Sequence, residues 1–123
     1  MRILNYILLA VADIAKSRAF YTPLLGIEPV EASPTFLLYV LPNGIKLGLW
    51  IASEIEPAPR AAGGVEVTFS ELDDDALDAT FADWSSKAEV LQQPTRMDFG
   101  YTFVVADPDG HRLRVFTPAA NPR

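Results

Sequence analysis

The sequence DPDGHRLRVF occupies residues 107–116 and is the most informative stretch for the architecture of this chain. An Asp-Gly pair between apolar runs favours a tight turn with positive φ at both central positions, so it predicts a β-hairpin. A similar stretch, LPNGIKLGLW, occupies residues 41–50 and places Pro, Asn, Gly, Lys, Leu and an aromatic residue at the matching positions. We therefore expect a duplicated unit.

The composition excludes several classes of protein. The chain has 123 residues, of which 50% are hydrophobic and 21% charged, as is typical of one globular domain. The net charge of −6 and the scattered basic residues argue against a nucleic-acid partner, because such binding depends on Lys and Arg. The absence of cysteine excludes disulfides and thiolate metal sites.

The N-terminal apolar run, residues 3–11, is too short to span a membrane and is interrupted by Asn5. It leads directly into Asp13 and Lys16 and lacks the small-residue cleavage site of a signal peptide. We therefore expect a cytoplasmic protein without a membrane partner.

The first half of the chain predicts a strand, a helix and three further strands. The run at residues 3–11 is rich in branched residues and predicts the first strand. Asp13 is a suitable N-cap for a helix over residues 14–24, with Phe20 and Leu24 on its inner face and Gly26 after its end. Three strands are expected at residues 27–32, 35–41 and 45–51.

The second half repeats this plan. Residues 65–70 predict a strand, and the three aspartates at 73–75 favour the start of a helix better than they indicate a cation site. Leu77, Phe81 and Trp84 form the apolar stripe of that helix. Three strands are expected at residues 89–92, 99–106 and 111–116, followed by a polar tail at 117–123 that is expected to fray.

The predicted architecture is an α+β fold of two tandem βαβββ modules, forming a curved, mostly antiparallel sheet that encloses a groove. Module 1 covers about residues 1–52 and module 2 about residues 65–117. A linker with several Pro and Gly residues joins them at about residues 53–64. Together they are expected to make up a single domain, residues 1–123.

Three passages resemble the vicinal oxygen chelate superfamily, which includes glyoxalase I, extradiol dioxygenases, fosfomycin-resistance enzymes and bleomycin-resistance proteins. They are YILLAVAD at residues 6–13, the segment from Ser17 through Phe20-Tyr21 to Leu25-Gly26, and DPDG at residues 107–110. Their order and spacing cover nearly the whole chain.

The resemblance implies a place for a divalent metal, held in the related enzymes by His or Glu at one inward position on each of four strands. The matching positions here are Tyr6, Gly48, Glu66 and Arg114. Only Glu66 is an ordinary metal ligand, and the cation of Arg114 would repel a metal. We therefore predict no metal and no other cofactor, in line with the binding proteins that the chain resembles.

Strand parity predicts which side chains share the groove. If Leu47, Leu49, Leu113 and Val115 face the helices, the groove contains Tyr6, Leu8, Gly48, Trp50, Glu66, Thr68, Arg114 and Phe116. The segment at residues 93–101 is rich in polar and aromatic residues and predicts a loop at the rim of the site. It adds a second group of candidate ligand-binding residues: Arg96, Asp98, Phe99 and Tyr101.

Two interpretations stay open for the main candidates. Glu66 and Arg114 form either a structural ion pair or a ligand-binding pair, in which Arg114 donates to an anionic or carbonyl group of a ligand and Glu66 orients it or accepts a proton. Trp50 and Phe116 either pack in the core or offer a stacking surface for a planar ligand. His111 follows a tight turn and is expected to be solvated rather than catalytic, and Asp107 and Asp109 are expected to shape that turn.

The function predicted from these features is metal-independent binding of a small, partly aromatic ligand, as in bleomycin-resistance-like proteins that sequester an antibiotic. The resemblance also implies a homodimer. One alternative is a glyoxalase-like lyase or isomerase, or a dioxygenase-type enzyme, with a displaced or absent metal site. Another is a non-catalytic scaffold with a vestigial groove.

Overall fold

The computed structural model describes residues 1–118, which form two α-helices and eight β-strands in two four-stranded sheets. The chain divides into two compact units at the boundary between Ala61 and Ala62, within the expected linker. That the two units make up one domain stays a prediction. No helix within residues 1–118 is long and apolar enough to cross a membrane.

The first unit contains β1 (Tyr6–Val11), α1 (Ile14–Leu25), β2 (Glu31–Ala32), β3 (Phe36–Val40) and β4 (Lys46–Ile51), followed by a 3-10 turn at Ala52–Glu54. The strand order in its sheet is β1-β4-β3-β2. Strands β1 and β4 pair in parallel, and the other two pairings are antiparallel. The chain thus places its first and last strands side by side.

The second unit contains β5 (Glu66–Ser70), α2 (Asp74–Trp84), β6 (Glu89–Met97), β7 (Gly100–Ala106) and β8 (Arg112–Pro118). Its sheet has the order β5-β8-β7-β6, with β5 and β8 parallel and the other two pairings antiparallel. This is the topology of the first unit. The prediction of an α+β fold with two βαβββ modules is confirmed.

Both helices begin at the predicted N-caps. The Asp13 carboxylate accepts a hydrogen bond from the Lys16 backbone N–H at 3.0 Å, and the Asp73 carboxylate accepts one from the Ala76 N–H at 2.8 Å. These bonds satisfy backbone donors that have no partner within the helix. Helix α1 ends at Gly26, whose φ of 72° is in the left-handed region that glycine adopts without a steric penalty.

Each helix packs on one face of the sheet in its own unit. Leu47, Leu49, Leu113 and Val115 are almost fully buried, as strand parity predicts. Helix α1 buries Ser17, Tyr21 and Leu24, whereas Phe20 is half-buried and packs edge-on against the Tyr21 ring. The inner stripe of α1 therefore contains Leu24 as predicted but is centred on Tyr21 rather than on Phe20.

The apolar stripe of helix α2 agrees more closely with the prediction than that of α1. Leu77 and Trp84 are buried, and the ring of the half-buried Phe81 packs edge-on against Phe103 of β7. Trp84 makes edge contacts with both Phe103 and Phe69. The core of the second unit is thus largely aromatic, and Trp84 belongs to it as expected.

Three predicted strand bounds are wrong. The pairing of each strand with its neighbour explains the differences. Strand β1 starts at Tyr6 rather than residue 3 because Tyr6 pairs with Lys46, the first residue of β4. Strand β2 is reduced to Glu31–Ala32, since Pro29 has no N–H to donate. Strand β8 continues through Pro118, so the expected tail starts too early; residues 119–123 lie outside the described residues.

The fourth correction concerns residues 93–97, which were expected to be a loop. They continue strand β6, whose pairing with β7 shifts register between Val90 and Gln92 and again between Gln92 and Thr95. Pro94 lies within the second shift, on a strand at the edge of the sheet. Edges and bulges are the places where a sheet tolerates proline, so the segment stays extended despite it.

Candidate functional site

The best-supported site lies on the face of the second sheet that points away from helix α2, called here the open face. A cavity of about 390 Å³ on this face is lined by Glu66, Thr68, Phe99, Arg114 and Phe116. The first two side chains come from β5, the last two from β8, and Phe99 comes from the turn between β6 and β7. All five are among the residues that the sequence predicted to bind a ligand.

Glu66 and Arg114 are joined by two hydrogen bonds. Arg114 Nε donates to Glu66 Oε1 at 2.7 Å, and Arg114 Nη2 donates to Oε2 at 3.1 Å. Arg112 adds two more contacts to Oε2, from Nε at 2.9 Å and from Nη2 at 2.8 Å. One carboxylate is therefore shared by two guanidinium groups, and the predicted structural ion pair exists.

Arg114 is also fixed from its other side. Its Nη1 donates to Gln92 Oε1 at 3.3 Å and to Thr102 Oγ1 at 3.1 Å, while the Thr102 hydroxyl donates to the Val115 carbonyl at 2.8 Å. The Arg114 side chain is only 17% exposed. Contacts from β5, β6 and β7 thus hold its planar group in one orientation.

The arginines determine the protonation state of Glu66. The hydrogen bonds from Arg114 have the largest effect and lower the pKa of the Glu66 carboxyl; burial opposes them, and the hydrogen bond from Arg112 lowers the pKa further, so that the net shift is downward. Glu66 is therefore a carboxylate at neutral pH whose two oxygens both accept from guanidinium groups. It is poorly suited to act as a general base, because its pKa is lowered and each of its oxygens already accepts a hydrogen bond from a guanidinium group.

Two aromatic rings complete this site. The Phe99 and Phe116 ring centroids lie 6.2 Å apart, with the ring planes inclined at 67°. The Arg114 guanidinium carbon lies 5.8 Å from the Phe99 centroid, within the range of a cation–π contact. The site thus combines aromatic surface with one oriented cationic group.

The open face of the first sheet carries the other four main candidates, and it is apolar. Tyr6 and Leu8 are 44% and 47% exposed, and Trp50 is half-buried. A Cβ atom built on Gly48 would lie 2.8 Å from Leu8 Cδ1, 3.0 Å from Tyr6 Cε1 and 3.2 Å from Phe36 Cε1. Glycine at position 48 therefore lets these side chains close over the backbone of β4. That both open faces line one groove stays a prediction.

Two residues of the second candidate group, Arg96 and Tyr101, do not line the cavity that contains Arg114. Arg96 donates to Asp74 at 2.7 Å and Tyr101 donates its hydroxyl to Asp78 at 2.8 Å, both on helix α2. The Arg96 guanidinium carbon also lies 4.7 Å from the Tyr101 centroid. These two side chains therefore lie on the helix side of the sheet, away from the open face.

The same contacts shift the pKa values of Tyr101 and Arg96. The pKa of Tyr101 is raised because its hydroxyl donates to the Asp78 carboxylate, which favours the neutral phenol. The hydrogen bond to Asp74 raises the pKa of Arg96. Asp98 forms the β6–β7 turn with Phe99 and is exposed, so Phe99 is the member of this group that reaches the cavity.

Sequence reasoning missed three residues that build the site, namely Gln92, Thr102 and Arg112. Arg112 stands two positions before Arg114, so parity placed it on the same face of β8. Its contact with Glu66 depends on the register between β5 and β8, in which Glu66 pairs with Arg112 and Thr68 with Arg114. No local signal gives the register between strands that are distant in sequence.

The turn before β8 closes a hairpin with β7 as predicted, but its conformation differs from the predicted one: Gly110 has a positive φ, whereas Asp109 does not, since no residue other than glycine has a positive φ within residues 1–118. Asp107 Oδ1 accepts hydrogen bonds from the backbone N–H groups of Asp109 at 2.9 Å and His111 at 2.8 Å, and Gly110 has a φ of 89°. This is the local side-chain to backbone bonding that makes aspartate favourable in turns. Asp107 therefore serves the turn, and β8 starts directly after it.

The side chains at the four family metal positions do not fit a divalent cation. Gly48 has no side chain, Arg114 is a permanent cation, and both oxygens of Glu66 accept from guanidinium groups. Tyr6 offers a single phenol, whereas a metal site needs three or four donors. Within residues 1–118, no group of three or more His, Cys, Asp or Glu side chains is placed to hold a metal ion.

A larger cavity, of about 590 Å³, lies in the first unit beside the start of helix α1. Its lining includes Ala12, Ile14, Ala15, Pro34 and Ile51, with Arg18 as its only basic side chain. Arg18 is itself 3.5 Å from Glu28 and half exposed. We favour the smaller cavity as the functional site because the Arg114 guanidinium is held there by hydrogen bonds beside two aromatic rings.

Comparison with known proteins gives a consistent result. Residues 3–115 match the family model of the Glyoxalase/Bleomycin resistance protein/Dioxygenase superfamily. The phenazine antibiotic resistance protein EhpR of Enterobacter agglomerans is 27% identical over 115 residues, which cover 90% of this chain and 88% of EhpR.

Two solved structures are similar to this chain along nearly its whole length. A protein from Agrobacterium tumefaciens, solved by solution NMR, is 48% identical with a TM-score of 0.88, covering 98% of this chain and 100% of that one. A glyoxalase-related enzyme from Fulvimarina pelagi is 19% identical with a TM-score of 0.86, covering 100% of this chain and 96% of that one. The second likeness concerns the fold alone.

Proposed function

This chain belongs to the Glyoxalase/Bleomycin resistance protein/Dioxygenase superfamily, and we propose that it acts there as a metal-independent binder of a small, planar aromatic ligand. Its cellular role would be to sequester an antibiotic. The observation that carries this proposal is the fixed Arg114 guanidinium, which lines a cavity together with the rings of Phe99 and Phe116.

The chemistry of this cavity suits binding better than turnover. A preorganised guanidinium contributes a hydrogen bond without further loss of side-chain freedom, and aromatic rings contribute surface for a planar molecule. The acid in the cavity, Glu66, is held as an ion pair rather than poised for proton transfer. The volume of about 390 Å³ is near the lower end of ligand cavities.

The similarity to a phenazine resistance protein supports the class of ligand. Phenazine is a planar system of three fused rings, which is the shape that an aromatic-lined cavity accepts. We therefore propose planar, fused-ring antibiotics of phenazine size as the first compounds to examine. At 27% identity this is a choice of compound class, and the contacts in the cavity argue for it independently.

The test is calorimetric titration of phenazine into the purified protein, with Phe99→Ala and Phe116→Ala as site variants and Phe20→Leu, on helix α1, as the control. The site variants are expected to weaken binding about tenfold each, the control not at all. Prior dialysis against EDTA is expected to leave the affinity unchanged. Equal loss in the control, or an absence of binding across a broad panel of aromatics, would contradict the proposal and favour the scaffold alternative.

The enzymatic alternative is tested by measuring whether the protein binds a metal. Elemental analysis after incubation with Ni, Mn, Fe or Zn salts is expected to find no stoichiometric metal, because Arg114 and Gly48 stand where ligands would be needed. A stoichiometric metal together with glyoxalase or dioxygenase turnover would replace the binding proposal with the enzymatic one.

We further propose that the protein is a cytoplasmic homodimer. Supporting this, apolar side chains at the start of the first unit are strongly exposed, including Ile3 at 74% and Leu4 at 83%. Contact with a second copy would remove such surface from water. Light scattering coupled to size exclusion is expected to give twice the chain mass of 13.5 kDa, and fractionation of cells is expected to place the protein in the cytoplasm.

A further inference from the structure

The charges around Glu66 do not balance. The guanidinium groups of Arg112 and Arg114 both donate to this one carboxylate, at distances from 2.7 to 3.1 Å. Arginine stays protonated at every pH at which the protein is folded, so the three side chains together carry one net positive charge. We infer that the ligand of this site carries a negatively charged group on its aromatic ring system, such as an aromatic carboxylate, that compensates this charge.

The hydrogen-bond donors of Arg114 limit how such a group binds. A guanidinium has five N–H donors, and Arg114 directs four of them to Glu66, Gln92 and Thr102. One N–H on Nη2 remains. The edge of the guanidinium formed by Nε and Nη2 could bind a carboxylate with two parallel hydrogen bonds, but Glu66 already occupies it. Arg114 therefore offers the ligand one charge-assisted hydrogen bond rather than a bidentate pair.

Arg112 supplies the remaining donors. Its Nε donates to Glu66 Oε2, its Nη2 lies 2.8 Å from the same oxygen, and its Nη1 has no protein partner within residues 1–118. The Arg112 side chain is 37% exposed, so it is partly open to solvent. Since Nη2 of Arg112 and Nη2 of Arg114 meet at the same carboxylate oxygen, a ligand carboxylate beside that oxygen can interact with both arginines.

The rest of the electrostatic environment does not cancel this positive charge. Glu89 is in register with Ala106, which is in register with Arg112, so Glu89 lies two strands away on the same face. Two strand spacings are about 10 Å, which exceeds the screening length of about 8 Å at physiological salt. The net charge of −6 is spread over the whole chain and is screened in the same way.

Other ligand charges fit less well. A cationic ligand would be repelled by the net positive charge of the three side chains, because the one carboxylate is already shared by two guanidinium groups. A neutral ligand would bury part of Arg114 without compensating the net charge. This inference rests on the proposed function, because it specifies the charge of the ligand for the same site.

The test compares phenazine-1-carboxylate with phenazine-1-carboxamide, which share the ring system and nearly the same size but differ by one charge at pH 7.5. We expect the carboxylate to bind at least tenfold more tightly at 50 mM salt. The advantage is expected to fall to about twofold or less at 0.5 M salt, since the partially exposed arginines are screened. Calorimetric titration at both salt concentrations measures this on the wild-type protein.

Two variants assign the effect to residues. Arg112→Gln is expected to abolish most of the preference for the carboxylate over the carboxamide, and Arg112→Lys is expected to retain part of it. If the carboxamide binds as tightly as the carboxylate, the inference is wrong while the proposed function stands. If neither compound binds, the inference is wrong, and an absence of binding across the broad panel of aromatics contradicts the proposed function as well. A preference that persists in Arg112→Gln and at high salt would also contradict the inference.

Discussion

Arg114 and Glu66 meet with parallel hydrogen bonds, Nε to Oε1 at 2.7 Å and Nη2 to Oε2 at 3.1 Å. The pair connects β5 to β8, adjacent parallel strands that are distant in the sequence. Such planar two-bond contacts are the strongest class of ion pair in proteins because both partners are held by geometry as well as by charge. The pair stabilises the second unit and at the same time orients the cationic group of the candidate site.

Replacing Glu66 by glutamine is expected to lower the free energy of unfolding by about 2 kcal/mol, because the amide retains the shape but leaves two guanidinium groups without their counter-charge. Urea denaturation followed by far-UV circular dichroism measures this. Glu28→Gln is the matched control: Glu28 contacts Arg18 at 3.5 Å and is 75% exposed, so its loss is expected to cost less than about 0.5 kcal/mol. Equal costs in the two variants would contradict the structural role of the pair.

The stability of the protein is expected to depend on pH through Glu66. Its pKa is lowered in the folded state, mainly by Arg114, so the unfolded state binds a proton more readily than the folded one. The stabilisation is therefore fully present above the unfolded carboxyl pKa of about 4.3 and is lost as pH falls through the lower folded value.

The difference in unfolding free energy between wild type and Glu66→Gln isolates this contribution from the other carboxylates. It is expected to stay constant from about pH 7 to about pH 5 and to narrow progressively below about pH 4. Denaturation at a series of pH values measures the difference. A difference that widens on acidification would have the wrong sign for a carboxyl with a lowered pKa.

The sequence predicts the fold wherever the signal is local. Asp13 and Gly26 act within a few residues of themselves, and each has the predicted role at an end of helix α1; the Asp109-Gly110 turn closes the predicted hairpin, although only Gly110 has the positive φ expected of both residues. Where a strand depends on its neighbour, the sequence is a weaker guide. The polar stretch containing Pro94 resembles a loop, and only the edge position of β6 with its two register shifts explains why it is a strand.

The same distinction between local signals and relations between strands applies to the residues of the candidate site. Parity along β5 and β8 places Glu66, Thr68, Arg114 and Phe116 on one face without knowledge of the partner strands. The second guanidinium on Glu66 depends on strand register, and the direction of Tyr101 depends on the position of helix α2. Those are relations between elements, and they decide which polar residue reaches a ligand and which one stabilises the fold.

The effect of replacing Gly48 on stability is expected to depend on the side chain of its neighbour Leu8. Gly48→Ala is expected to destabilise the protein by about 1 kcal/mol, since the new methyl group would lie 2.8 Å from Leu8 Cδ1. In a Leu8→Ala background the same change is expected to cost about half as much, because the closest contact is removed while Tyr6 Cε1 at 3.0 Å and Phe36 Cε1 at 3.2 Å stay close to the new methyl group. The resulting coupling of about 0.5 kcal/mol is measured by denaturation of the four proteins in a double-mutant cycle. Independent effects would mean that another neighbour limits the space.

Phe99 and Tyr101 lie two residues apart in the β6–β7 hairpin but are expected to differ in their effect on ligand binding. Phe99 lines the cavity, whereas the Tyr101 hydroxyl donates to Asp78 on helix α2 at 2.8 Å. Phe99→Ala is therefore expected to weaken phenazine binding about tenfold, while Tyr101→Phe leaves the dissociation constant within about twofold. Calorimetric titration of both variants measures this, with Arg96→Gln as a second change on the helix side. A tenfold loss in Tyr101→Phe would mean that the bond to Asp78 positions the turn bearing Phe99, so that the helix side of the sheet contributes to the site indirectly.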